Sequence, residues 1–187
     1  EEPELVARGY GRGSNAVFLT ISAFNNAGYT LSSNSVTYLA DNPVAYLTVA
    51  LLIIAGNTMT PVFYRLIIFG ELYYRKRLGL THRTRELQFI LDNPRKVSVN
   101  TLPTREVIFL LITTTTLNLV QYIFYLSSCL DRYQLRNEYG GQTTLAGIGF
   151  FQTISTRNAG LQIMNLRTMN QGMLLVYAIA MYLSGAP

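Results

Sequence analysis

Charge is what this 187-residue sequence has least of: Asp, Glu, Lys and Arg together make up 13% of it, about half the share of an ordinary soluble domain. Cysteine and histidine are scarcer still, with one of each. A single Cys129 excludes an intrachain disulfide and a cysteine metal cluster. Its place in an apolar run makes it a buried, inert thiol. His82 stands alone in a basic stretch and supports neither metal ligation nor acid–base chemistry. The sequence also lacks a nucleophile–base set, a phosphate-binding glycine loop and any metal-ligand spacing. The expectation is a protein that is not an enzyme and carries no cofactor. The opening Glu1-Glu2-Pro3-Glu4 has neither an initiator Met nor the basic-then-apolar pattern of a signal peptide. It reads as the start of an internal piece of a longer chain.

What is present is apolar and unevenly charged. The net charge is +5, and nine of the fifteen Lys and Arg residues fall between Arg65 and Arg105. Such a stretch could bind nucleic acid. Here it lies between two long apolar runs, and positive loops beside membrane spans stay in the cytoplasm. Nucleic acid is therefore not expected as a partner; membrane lipid is.

The apolar runs are long enough to matter. Val44 to Phe69 could cross a hydrocarbon core about 30 Å thick at 1.5 Å per residue. Asn42-Pro43 offers a capping side chain and a first-turn proline, whereas Gly56 and Pro61 predict a kink. Glu71 to Asp92 is polar and basic and should carry the helix out of the membrane until Pro94 and Pro103. Glu106 to Leu130 is a second run, with threonines at 113–116 that can bond their own helix backbone. Met169 to Leu183 is a third, barely sufficient when counted from Thr168. Spans are expected near 43–70, 105–130 and 168–185.

Two shorter segments carry more information. Ser14 to Phe24 and Thr143 to Ser155 are semi-apolar, begin with Ser or Thr as caps, and are too short to cross a bilayer. Each leads into Asn-Ala-Gly and then, after a polar interval, into an apolar run. That order describes a re-entrant pore loop, expected near 14–31 and 143–163. The two segments are also copies of one another. Thr20-Ile21-Ser22-Ala23-Phe24-Asn25-Asn26-Ala27-Gly28 aligns, with one gap, to Thr153-Ile154-Ser155-Thr156-Arg157-Asn158-Ala159-Gly160.

The unit has specific physics. A short helix directs its partly negative C-terminal end at the membrane centre, where it stabilises a cation. The loop that follows replaces the ion's hydration shell with backbone carbonyls. Glycine suits such a loop because it reaches backbone angles closed to other residues, and Ala27 and Ala159 allow close packing behind it. The plainer alternative makes Gly28 and Gly160 helix C-caps in ordinary loops. Their pairing inside a repeat favours the filter.

With these residues in view, the sequence resembles the Trk/Ktr/HKT family of potassium transporters. Phe24-Asn25-Asn26-Ala27-Gly28 looks like the family's second filter segment and Thr156-Arg157-Asn158-Ala159-Gly160 like its third. Ser22 to Tyr29 and Phe151 to Ser155 are most similar to fungal and other eukaryotic Trk members. The resemblance covers nearly everything from Ser14 to Leu183. It implies an all-α membrane protein of helix–pore-loop–helix repeats, of which this sequence carries two of four filter segments. Residues 1–70 would be the second-repeat pore loop and its following helix, 71–104 a basic cytoplasmic linker, and 105–187 the third repeat.

The function implied is passive or coupled potassium transport across the plasma membrane, with the ion as substrate. Backbone carbonyls from Asn25, Asn26, Ala27 and Gly28, and from Arg157, Asn158, Ala159 and Gly160, would line the path. Arg157 matches an arginine at this point of the third segment and is expected to point behind the filter, towards an acid or backbone carbonyls. The missing first and fourth repeats, or a homo-oligomer, would be needed to close the ring. Asp41, Asp131 and Glu138 could gather cations at the mouth, although ordinary loop solvation explains them too. Three other readings stay open: a sodium-permeable member of the family, a non-conducting membrane scaffold subunit, and, most weakly, a soluble basic nucleic-acid binder.

Overall fold

Apolar runs without alternation leave the backbone one economical way to satisfy its own polar groups, the helix. A computed structural model describes residues 9, 11–56, 59–79, 84–97, 101–129, 139 and 141–182, and the regular structure among them is helical throughout. The elements are α1 (Arg12–Phe24), α2 (Pro43–Ala55), α3 (Thr60–Arg77), α4 (Thr84–Asp92), α5 (Pro94–Val97), α6 (Thr104–Cys129), α7 (Gln142–Asn158) and α8 (Gln171–Tyr182). Single 3-10 turns at Thr37–Leu39 and Leu166–Thr168 precede α2 and α8.

The residues form two compact units. One comprises Glu1–Thr58 and Thr116–Pro187, the other Met59–Thr115. In the first unit α7 packs against α2 and α8, and α1 packs against α2. Its core gathers Tyr46, Ile53, Tyr125, Ile148, Phe151 and Ile163 around α7. Two glycines of α7 make that packing possible. A Cβ on Gly147 would stand 2.3 Å from the Tyr46 hydroxyl, and one on Gly149 would stand 1.8 Å from the Tyr125 ring. The rings fill the notches: Tyr46 meets Phe151 edge-on at 6.4 Å, and the Tyr125 hydroxyl donates to the Leu145 carbonyl at 3.0 Å.

In the second unit α3 packs against α4. Arg65 of α3 donates to the Leu102 carbonyl at 2.8 Å and also to the Thr104 hydroxyl. Arg95 pairs with Glu106, and Glu71 with Arg75 one turn on at 2.8 Å. The Arg65 and Arg95 bonds tie α3 and α5 to the start of α6, whereas the Glu71–Arg75 pair lies within α3.

The run expected as one kinked span over 43–70 is divided into α2 and α3. Asn42 caps α2 as anticipated, its side-chain oxygen accepting from Ala45 N–H at 3.3 Å, with Pro43 in the first turn. Gly56 ends that helix, and Pro61 stands in the first turn of the next. A proline there loses no helical hydrogen bond, so it starts a helix instead of bending one. The extension anticipated over Glu71 to Asp92 is present in part: α3 continues to Arg77, and a separate helix, α4, covers Thr84–Asp92. The segment expected over 105–130 is one helix, and its stretch Thr104–Ser128 is long and apolar enough to cross a membrane. Much of that surface is open, with Phe109, Ile112 and Ile123 exposed. The third expected span contains α8, described to Tyr182.

Candidate functional site

The two copies of the sequence repeat fold alike. α1 ends at Phe24, with Asn25 as its C-cap, and α7 ends at Asn158, with Ala159 as its C-cap. Each chain then turns through a left-handed glycine, Gly28 at φ +74° and Gly160 at φ +73°. An L-residue pays roughly 1–2 kcal/mol for that conformation, so glycine is the residue the turn requires. The N-caps are Gly11 and Gly141 rather than the Ser or Thr anticipated, and neither makes a side-chain capping bond.

A serine at the same place in each copy brackets its glycine. The Ser22 carbonyl accepts from Ala27 N–H at 2.9 Å, and the Ser22 hydroxyl donates to the Tyr29 carbonyl at 2.7 Å. The Ser155 carbonyl accepts from Ala159 N–H at 2.9 Å and from Gly160 N–H at 2.6 Å. Its hydroxyl donates to the Leu161 carbonyl at 2.7 Å. Tyr29 and Leu161 each directly follow the glycine, and both serines are buried. Sequence reasoning missed these two residues. The signal was available, because Thr-Ile-Ser is the longest ungapped identity in the repeat before Asn-Ala-Gly.

The two turns also meet. A Cβ on Gly28 would lie 2.3 Å from the Ala159 carbonyl oxygen. Beyond them, Gln162 N–H donates to the Ser35 hydroxyl at 2.9 Å, and Val36 N–H donates to the Gln162 carbonyl at 3.0 Å. Thus Ala27-Gly28 and Ala159-Gly160, far apart in sequence, form one neighbourhood. Buried Gln152 completes the support from α7, accepting from Ile163 N–H at 3.1 Å and donating to Thr156 at 3.1 Å.

The remaining candidates occupy distinct places. Asn25 is exposed, and its amide donates to the Ile21 carbonyl at 2.9 Å. Asn26 is left-handed, φ +51°, a conformation its short polar side chain tolerates. With its amide turned so that nitrogen faces the carbonyls, it donates to Ala23 at 2.9 Å and Ile53 at 3.3 Å. α1 is held to α2 a second way: a Cβ on Gly56 would stand 2.0 Å from the Phe24 carbonyl oxygen. That close approach is the reason for glycine at the end of α2.

Arg157 is buried and donates to the Asn118 side chain of α6 at 3.1 Å. This partner is an amide; sequence reading anticipated an acid or backbone carbonyls. The arginine borders a cavity of about 260 Å³ shared with Gln121, Phe124 and Val176. Asn158 and Ala159 lie at the helix end, the alanine buried. Asp41 is exposed. His82, Asp131 and Glu138 lie outside the described residues, as does the side chain of Cys129.

Comparison with known proteins identifies the family. The TrkH family, described as cation transport proteins, matches residues 4–187. A high-affinity potassium transport protein of Saccharomyces cerevisiae is 30% identical over 89% of this chain and 13% of its own length. A putative potassium transport protein of Dictyostelium discoideum is 30% identical over 92% of the chain and 25% of its own. A cation transporter of rice, HKT1;3, is 27% identical over 91% of the chain and 30% of its own. The chain therefore spans between 13% and 30% of the length of these relatives. With a match that runs almost from end to end, it belongs to the TrkH family of cation transport proteins.

Proposed function

We propose that this chain supplies two walls of a potassium-selective path through a plasma membrane, as part of a Trk-type transporter. The observation that carries the reading is the pair of left-handed glycines, at φ +74° and +73°, each at the C-terminal end of a short helix. Two helix ends present partial negative charge, and the turns beyond them offer backbone carbonyls to a partly dehydrated cation. That relatives are named potassium transport proteins supports potassium as the ion. Asn25 to Gly28 and Arg157 to Gly160 are the filter segments in this reading. Arg157 acts from behind, because an arginine facing the path would repel the ion. The exposed apolar side chains of α6 suit a helix that faces lipid, and the basic linker 71–104 would lie on the cytoplasmic side.

The test is the potassium-to-sodium permeability ratio of Gly28→Ser and Gly160→Ser in the full-length parent protein, with surface abundance measured alongside. Both ratios should fall, since a Cβ and hydroxyl restrict the backbone and add a competing ligand. Unchanged ratios at both positions would remove the filter assignment.

A further inference from the structure

We infer that Ser22 and Ser155 are positioning residues for ion discrimination, each holding the backbone on both sides of its filter glycine. The inference rests on the filter reading above and deepens it. A carbonyl filter discriminates between ions only while its oxygens keep their places. A left-handed glycine is the softest link in such a backbone, because it lacks the Cβ that narrows the choice of angles. Something outside the turn must therefore hold it.

In both copies that holder is one serine acting twice. Its carbonyl receives N–H groups that arrive before or at the glycine: Ala27 for Ser22, and Ala159 and Gly160 for Ser155. Its hydroxyl grips the carbonyl of the next residue, Tyr29 or Leu161, at 2.7 Å in each case. Both serines sit in the last turns of α1 and α7, so each turn is tied to a rigid element. The hydroxyl bonds are buried or part-buried, so water does not readily replace a lost donor, and an orphaned carbonyl is costly. Two further features set the device apart from ordinary C-capping. A helix C-cap needs only backbone donors, whereas here a side-chain donor reaches past the glycine. The same serine-to-carbonyl link also recurs at the matched position of the repeat, although flanking residues differ.

The hydroxyl's two roles separate in mutants. Alanine keeps the backbone acceptor and the helix but deletes the grip on Tyr29 or Leu161. Threonine keeps the hydroxyl. In the full-length parent, Ser22→Ala and Ser155→Ala should lower the potassium-to-sodium permeability ratio roughly three- to ten-fold, the range that one net hydrogen bond represents. Surface abundance should stay near that of the parent, and threonine should restore most of the ratio. Parental ratios in both alanine variants, with Gly28→Ser and Gly160→Ser still lowering theirs, would overturn the serine role and leave the filter standing. If the glycine variants also keep the parental ratio, the filter reading itself falls. Should an alanine variant fail to reach the surface, Ser→Cys takes its place, since a thiol is a poor donor of nearly equal size. A parental ratio for that variant likewise overturns the proposal.

Discussion

Gly28 lies against Ala159 so closely that a methyl group on its α-carbon would stand 2.3 Å from the alanine's carbonyl oxygen. Gly160, its counterpart in the repeat, has nothing within 4 Å of the same position among the described residues. The two glycines thus share a backbone conformation and differ in surroundings, and the difference can be measured. Gly160→Ala should cost about 1–2 kcal/mol, the strain of a left-handed L-residue alone. Gly28→Ala should cost roughly 1–3 kcal/mol more, because the backbone must also retreat from an unyielding carbonyl. Thermal unfolding of the detergent-solubilised parent compares them, and equal midpoints would contradict the contact.

Gly149 tests how α7 is seated. Its missing Cβ leaves room for the Tyr125 ring, which would otherwise lie 1.8 Å away. Gly149→Ala should therefore destabilise the protein by about 1–3 kcal/mol, as overpacking does. Gly172→Ala is the control: that glycine lies in α8 with nothing among the described residues within 4 Å of an added Cβ. Alanine there should be neutral or gain up to about 1 kcal/mol from helix propensity. Unfolding midpoints that move in the same direction would argue against the packing.

Asn118 bears on how Arg157 is held. Asn118→Ala removes an acceptor from the buried guanidinium, at a cost of about 1–2 kcal/mol, the lower part of the range for charged hydrogen bonds because Asn118 is half-buried. If the arginine supports the filter from behind, the loss appears as reduced stability and surface abundance, with the potassium-to-sodium ratio held. A changed ratio at normal abundance would instead place the charge at the ion path.

The basic segment offers a test of the proposed topology. Gln88, exposed on α4, replaced by cysteine should resist membrane-impermeant thiol reagents in intact cells, because clustered cations resist translocation. Every native cysteine of the full-length parent, Cys129 among them, is first changed to Ser so that one thiol remains. Labelling from outside would invert the orientation and move both turns to the other side of the membrane.

Ala45 and Thr114 serve as comparison positions for every selectivity measurement, since neither lies in a turn of the repeat. Ala45→Ser and Thr114→Ser should leave the permeability ratio within about twofold of the parent, less than the tenfold that 1.4 kcal/mol represents. A larger change would show that the ratio reports general disturbance.

Much of this was written in the sequence itself. Few charges and long apolar runs determine helices, Asn42-Pro43 determines the start of α2, and the repeat determines that Gly28 and Gly160 do the same thing. These are local properties, set by propensity, capping and backbone sterics, so a string of residues suffices to state them. Tertiary structure decided the rest. Gly56, expected with Pro61 to kink one span, stands at the end of α2, and it must be glycine there because the Phe24 carbonyl occupies the space a Cβ would need. Gly147 and Gly149 are seats for Tyr46 and Tyr125, which the packing alone reveals. Ser22 and Ser155 looked like helix residues, and their hydroxyls proved to reach beyond the glycines to Tyr29 and Leu161. Asn118 comes to Arg157 from α6, across 39 positions of sequence. Contacts of this kind depend on which surfaces are pressed together, and only the packed chain brings those atoms within bonding distance.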